Sequence, residues 1–201
     1  MKVTVIVPVF NQESLLIQAL DSIPRRDDIE VIVIDDGSTD DTWENLMAYK
    51  ENCLEMNLVC LYNTDNMGVA HAVNKGLDSA SGEYVVLLGS DDFFIQPAFI
   101  EVMDLLDGTD LVYFNLQTND GNIIRLNEQN KTGYCGSVKF MRRDFIGETR
   151  NDETKRAGED FFFFQELLKK KPTEKFTDIC VKHYNFPRVG SLSDPHRKGE
   201  L

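Results

Sequence analysis

Apolar and polar positions along this chain fall into blocks that switch between the strand period and the helix period. Val3-Thr4-Val5-Ile6-Val7-Pro8-Val9 is β-branched and nearly continuous, the pattern of a parallel strand buried on both faces. Pro8 has no N–H to give to a ladder, so the strand is expected to end there and hand over to a loop. From Glu13 to Ile23 the apolar residues Leu15, Leu16, Ala19, Leu20 and Ile23 recur at helical spacing. A second buried strand, Glu30 to Ile34, stops on Asp35-Asp36-Gly37-Ser38. Thr39 to Lys50 reads as a helix with Asp40 and Asp41 in its first turn, where the helix dipole favours them. A third strand, Leu58 to Tyr62, precedes Asn66-Met67-Gly68 and a helix to about Leu77. Ser81-Gly82 then turns into a fourth strand, Tyr84 to Leu88.

Strand alternating with helix in this way predicts right-handed βαβ units and a mainly parallel central sheet flanked by helices, an α/β fold. The second half is less regular. Leu111 to Thr118 reads as a strand, Asn119-Asp120-Gly121-Asn122 as a turn, and Ile123 to Leu126 as its return. Phe161 to Lys171 is a predicted helix closed by Pro172, and Phe176 to Tyr184 a last strand before a tail rich in Pro, Gly, Ser and charge. With no repeat, low-complexity segment or linker, the 201 residues are expected to form one domain.

Composition narrows the function. Hydrophobic residues make up 42% and Phe numbers 13, which marks a globular chain. No run approaches the roughly 18 apolar residues of a spanning helix. The start lacks the form of a signal peptide, so a soluble, cytoplasmic protein is expected. Cys53, Cys60, Cys135 and Cys180 lack Cys-x-x-Cys spacing and are expected to be reduced thiols. A formal charge of −13 argues against nucleic acid and against broad attraction to anionic lipid. It also means that an acidic site should repel phosphate unless a metal or a local basic patch intervenes.

Open α/β sheets bind ligands outside the carboxyl ends of their strands. Here those ends carry Phe10-Asn11-Gln12, Asp35 to Asp40, Asn63 to Gly68 and Gly89-Ser90-Asp91-Asp92. Either acidic cluster alone reads equally well as helix caps and turns. Two carboxylate pairs at converging strand ends point instead to a divalent cation, which would also bridge to a diphosphate and remove the repulsion.

In order along nearly the whole chain, these motifs resemble those of family 2 glycosyltransferases, which adopt the GT-A fold. Val5-Ile6-Val7-Pro8-Val9-Phe10-Asn11 resembles the family's opening strand and Asp35-Asp36-Gly37-Ser38-Thr39-Asp40 its second-strand signature. Asn66-Met67-Gly68 with Ala72, Asn74 and Gly76 resembles the third block. Gly82 through Asp91-Asp92 to Pro97 is similar to the segment with the Asp-x-Asp metal motif. Gly158-Glu159-Asp160 is similar to the motif that supplies the general base, and Tyr184 with Ser191-Leu192-Ser193 to the final block. The resemblance implies a donor-binding half, residues 1–97, and an acceptor-binding half with the tail, residues 98–201. Phe10 and the Pro8, Val9 and Asn11 backbone would hold the base, with Asp36 accepting its imide N–H. Asn66, Gly68, Asn74 and Ser90 would also face the donor. Asp91 would reach the ribose or a Mn²⁺ or Mg²⁺ ion, with Asp92 the neighbouring metal ligand. Asp160, or second to it Glu159, would be the base of an inverting transfer from a nucleotide-sugar, by family habit a UDP-sugar, to a carbohydrate or glycolipid acceptor. Peripheral membrane association stays compatible with this reading.

Gly89 stands where the metal motif commonly has an Asp, Val73 where an Arg commonly precedes Asn74, and Asn185 where an Arg often follows the tyrosine. Lys75, His71, His183 or Arg188 are candidate substitutes for the lost positive charge. The Gln-x-x-Arg-Trp motif of processive members is missing, and the single tryptophan, Trp43, lies in an early helix, so one sugar per encounter is expected. Phe161 to Phe164 reads as a core and interface helix face ahead of acceptor stacking. Arg142-Arg143 and Lys169-Lys170-Lys171 read as solvated faces; closure of Arg142-Arg143, or of Arg188, His196, Arg197 and Lys198, over the diphosphate is the second reading. A nucleotidyltransferase would want a Gly-rich basic loop after the first strand, which is lacking. A non-catalytic nucleotide-sugar-binding domain is the other alternative.

Overall fold

Residues 2–133, 136–155 and 158–186 are described by the computed structural model. The tail blocks around Ser191 and the cations from Arg188 to Lys198 lie outside these residues.

The first half follows the predicted alternation: β1 (Val3–Val9), α1 (Leu16–Asp21), β2 (Ile29–Asp35), α2 (Thr42–Asn52), β3 (Asn57–Tyr62), α3 (Val69–Ser79) and β4 (Tyr84–Leu87). The strands pair in parallel in the order β3-β2-β1-β4. β1 continues past Pro8 to Val9, which corrects the expected end. Leu88 donates to the Ile6 carbonyl, so by strand alternation Pro8 points toward β4, whose pairing has stopped at Leu87. The missing N–H therefore costs no hydrogen bond. α1 is shorter than the apolar spacing suggests, because Leu15 and Leu16 both donate to the Gln12 carbonyl in an entry turn.

The second half contains β5 (Phe93–Phe94), α4 (Gln96–Asp104), β6 (Leu111–Thr118), β7 (Ile123–Ile124), a 3-10 turn at Lys131–Gly133, β8 (Lys139–Arg142), α5 (Arg143–Ile146), α6 (Glu159–Lys169) and β9 (Glu174–Tyr184). The sheet continues without a break as β4-β8-β6-β9-β5, with β7 paired to β6. β8 lies antiparallel to both β4 and β6, so the sheet is mixed rather than parallel throughout. β6 and β9 run parallel through a register shift around Asn115.

Alternation sorts the strand side chains into two apolar layers. Val5, Val7, Val31 and Val33 pack with Leu20, Phe99 and Phe114 on one face. Ile6, Ile32 and Ile34 pack with Leu77, Tyr113, Phe164 and Leu167 on the other. Within Phe161 to Phe164 the work is divided, since Phe163 and Phe164 are core while Phe161 and Phe162 stay exposed. Three of the basic residues also hold structure, Arg143 and Lys170 while staying exposed as expected. Arg142 pairs with Asp110, Arg143 donates to the Gly82 carbonyl, and Lys170 caps the Phe145 and Ile146 carbonyls at the end of α5. Cys53, Cys60 and Cys180 are free thiols. Among the described residues no helix is long and apolar enough to cross a membrane.

Candidate active site

The β2 end turns on Gly37, whose φ of 75° and lack of a side chain let the backbone pass the Asp65 carbonyl carbon; a Cβ there would meet it at 2.6 Å. Asp36 uses this approach to organise the next loop. Its Oδ1 accepts from Asn63 Nδ2 at 2.8 Å and the Met67 N–H at 3.1 Å, and its Oδ2 accepts the Gly68 N–H at 2.7 Å. Lys75 donates to Asn63 Oδ1 at 2.6 Å and so turns the Asn63 amide N–H toward Asp36. Lys75 is thereby committed to the loop rather than to replacing an arginine. Oδ2 of Asp36, with one N–H partner, is the oxygen with acceptor capacity left for a base. Beside it Asn11 adopts φ 51° and ties the β1 end to the β2 end, accepting the Thr39 N–H at 2.8 Å while its own N–H reaches Ser38 Oγ. Phe10 is left 40% exposed at this rim. Pro8 is half-buried and Val9 buried in β1; Asn66 is exposed and Gly68 opens α3.

Asn74, expected at the donor, is spent elsewhere. Its amide donates to the Asn151 carbonyl and to Glu153, and accepts the Asn151 N–H at 2.8 Å. Glu153 in turn meets His71 Nδ1 at 3.0 Å. With both ends of its buried amide satisfied, Asn74 clamps the segment leading to α6.

The β4 end also departs from expectation at Asp92. This carboxylate is 4% exposed; Oδ2 pairs with Lys182 Nζ at 2.6 Å and Oδ1 accepts the Asn185 N–H at 2.8 Å. Lys182 is itself 1% exposed and also contacts Ser137 Oγ. With its charge matched by Lys182 and its side chain buried, Asp92 is less open to a cation than half-buried Asp91. Among the described residues no three His, Cys, Asp or Glu side chains gather as a ready-made metal site. The donor set fits a hard divalent ion best at half-buried Asp91, completed by ligand oxygens such as a diphosphate supplies. Ser90 is buried behind it.

Gly89 is required by this arrangement. A Cβ would stand 2.9 Å from Asp92 Oδ2 and 3.0 Å from Asp91 Oδ1, so the two carboxylates fold over the bare backbone. Restoring the common aspartate, Gly89→Asp, is expected to lower the unfolding free energy by about 1–3 kcal/mol through crowding and a third like charge. A urea titration measures it, and an unchanged midpoint would show that the site has room for a third carboxylate.

α6 starts at Gly158, whose φ is 72°, and its first turn carries Glu159 and Asp160. Asp160 Oδ1 accepts the Phe161 N–H at 2.8 Å, and Oδ2 faces Gly136 across a gap that a Cβ would close to 3.1 Å. Asp160 lines a cleft of about 830 Å³ that Lys182 and Ser137 also line, whereas Glu159 does not. Burial, and after it the charge of Asp160, push the Glu159 carboxyl above the ordinary carboxylate range. His183 stacks on Phe93 at 4.4 Å with its Nδ1 buried and unpartnered, and is packed rather than presented.

The structure thus places Asp160 and Lys182 on one cleft, ties Asp92 to that cleft's Lys182, and gathers Phe10, Asn11, Asp36 and the 63–68 loop at the neighbouring strand ends. Lys182, Asn63 and Glu153 were not singled out by sequence. Lys182 left no signal of its own, since β9 also carries Glu174, Lys175 and Asp178 and so reads as a partly exposed strand.

Residues 4–177 match the sequence family described as Glycosyl transferase family 2. The GalNAc(5)-diNAcBac-PP-undecaprenol beta-1,3-glucosyltransferase of Campylobacter jejuni is 32% identical over 171 residues, covering 83% of this chain and 52% of its own length. TarS of Staphylococcus aureus, a poly(ribitol-phosphate) beta-N-acetylglucosaminyltransferase, is 27% identical over 203 residues, 96% of this chain and 34% of TarS. The crystal structure of TarS 1-349 in complex with UDP-GlcNAc superposes with a TM-score of 0.82 at 21% identity, over 95% of this chain and 60% of that one. The mannosyltransferase PcManGT of Pyrobaculum calidifontis, in complex with GDP-Man and Mn²⁺, gives 0.74 at 22% identity, over 94% and 58%. The two superpositions speak for the GT-A fold. The chain spans about half or less of the length of these curated relatives. Fold, ordered motifs and sequence match agree: the chain belongs to glycosyl transferase family 2.

Proposed function

We propose that this chain transfers a single sugar, with inversion, from a nucleotide-diphosphate-sugar to an acceptor hydroxyl in polysaccharide or glycoconjugate synthesis. One observation carries the reading: Asp160 lines the same cleft as Lys182, and Lys182 is the ion-pair partner of Asp92 in the donor motif. The reading sets the base across Lys182 from the donor motif, and an in-line displacement at an anomeric carbon requires base and donor to be held close in this way.

In this reading Phe10 offers its exposed ring to the base, and Asp36 Oδ2 accepts the imide N–H of uracil. UDP as the nucleotide draws support from the UDP-GlcNAc complex of TarS. Asp91 is the residue that would hold a divalent ion together with the donor diphosphate, and that ion, when bound, balances charge on the leaving diphosphate. Asp160 takes the proton from the acceptor hydroxyl as the new bond forms. Asp92 and Lys182 keep the 89–92 turn in place from below.

The test is incubation with a panel of nucleotide-sugars, Mn²⁺ and mixed glycan acceptors. Release of nucleoside diphosphate is the expected result. Pyrophosphate release would assign a nucleotidyltransferase instead, and nucleotide binding without turnover a binding domain.

A further inference from the structure

The far wall of the Asp160 cleft is an aromatic pair. Tyr184 and Phe186 stack with centroids 5.5 Å apart and planes 10° from parallel, and both rings line the cavity. Lys182 Nζ lies 5.4 Å from the Tyr184 centroid, so the pair continues directly from the ammonium that holds Asp92. The β6 turn fixes the other side. Asn119 donates its N–H to the Phe186 carbonyl at 3.1 Å and its side-chain amide to Asn185 at 2.9 Å. Asp120 and Asn122 on that turn also face the cleft, and the carboxylate of Asp120 is held by Thr118 Oγ1 and by the Asn122 amide. Those hydrogen bonds, Thr118 first, keep the Asp120 carboxyl below the ordinary range and so ionised at neutral pH.

Two properties follow. A displaced aromatic stack, offering an outer ring face and edges beside carboxylate and amide acceptors, matches the apolar C–H face and outward hydroxyls of a pyranose ring. The charged side chains lining the cleft among the described residues are Asp120, Asp160 and Lys182, and Asp92 neutralises the lysine. The remaining field is negative and opposes a phosphate or carboxylate on the acceptor. We infer that this cleft is an acceptor subsite for a neutral pyranoside, resting on Tyr184 and Phe186, with hydroxyls held by Asp120 and Asn122 and one presented to Asp160. The inference rests on the proposed transferase reading and adds the class of acceptor.

Ligand-observed saturation-transfer NMR on the whole chain tests it without requiring turnover. Cellobiose, lactose and chitobiose are compared with glucose 6-phosphate and ribitol 5-phosphate. At least one neutral disaccharide is expected to bind about tenfold more tightly than either phosphate, with the strongest transfer on its ring C–H protons. Phe186→Ala is expected to weaken that binding about tenfold and Phe186→Trp to retain it. Should the alanine variant fail to fold, the wild-type panel and the tryptophan variant still decide. Phosphates that bind as tightly as the disaccharides, no disaccharide binding, or a folded Phe186→Ala with unchanged affinity would each overturn the subsite. The transferase reading fails separately: disaccharide binding without nucleoside diphosphate release from any donor removes that reading alone. Release that persists while disaccharide binding is missing removes only the subsite.

Discussion

Asp160→Asn is expected to lower the transfer rate about 10²–10⁴-fold while donor affinity stays within about twofold. Asparagine keeps the size and the acceptor oxygen that meets the Phe161 N–H, so the first turn of α6 survives. What it loses is the ability to take a proton. A proton that must go to water instead returns the general-base contribution, about 3–5 kcal/mol of barrier. In the proposed reading the donor meets the other strand ends, around Asp36 and Asp91, so its binding is expected to be untouched. Single-turnover kinetics with titration of the nucleotide separate the two quantities. Equal rates in wild type and variant would remove Asp160 from the chemistry and turn attention to Glu159, whose raised protonation range suits a base less well at low pH.

The second large effect concerns stability. Lys182→Met keeps most of the volume of the side chain but removes the charge that faces Asp92 at 2.6 Å. Asp92 would remain 4% exposed with only the Asn185 N–H for compensation. Breaking one side of a buried pair costs about 3–5 kcal/mol, whereas replacing both sides is often close to neutral. Denaturant unfolding should therefore show a large loss for Lys182→Met and a substantial recovery in Lys182→Met combined with Asp92→Asn. If the single variant matched wild type, Asp92 would have to be reaching water or another cation, and the preference for Asp91 over it as a metal ligand would fall with that result.

The first half was legible because parallel strands buried on both faces write themselves as unbroken β-branched runs, as Val3–Val9 and Ile29–Asp35 do. β8 was hidden by its own charges. Lys139 is 1% exposed, a position that reads as surface until the Phe164 ring 4.2 Å from its ammonium is known. Arg142 likewise reads as solvent-facing until Asp110 is placed beside it. α4 was not singled out, although Pro97 in its first turn suits a helix start. At the site, the strand-end acids were visible but their partners were not. Spacing cannot say that Asp92 answers to a lysine on β9, or that Asn74 answers to Asn151, because nothing local joins such distant residues.

The antiparallel strand inserted between β4 and β6 bears on how a reaction cycle could proceed. Because β4, β8 and β6 share one hydrogen-bonded sheet, the residues proposed to face nucleotide and those proposed to face acceptor belong to a single stiff plate. Among the described residues no linker divides that sheet into two bodies. Any gating that admits substrate or expels product must then be done by segments at the rim, such as the 63–68 loop, and its cost is counted in a few loop hydrogen bonds instead of a domain interface.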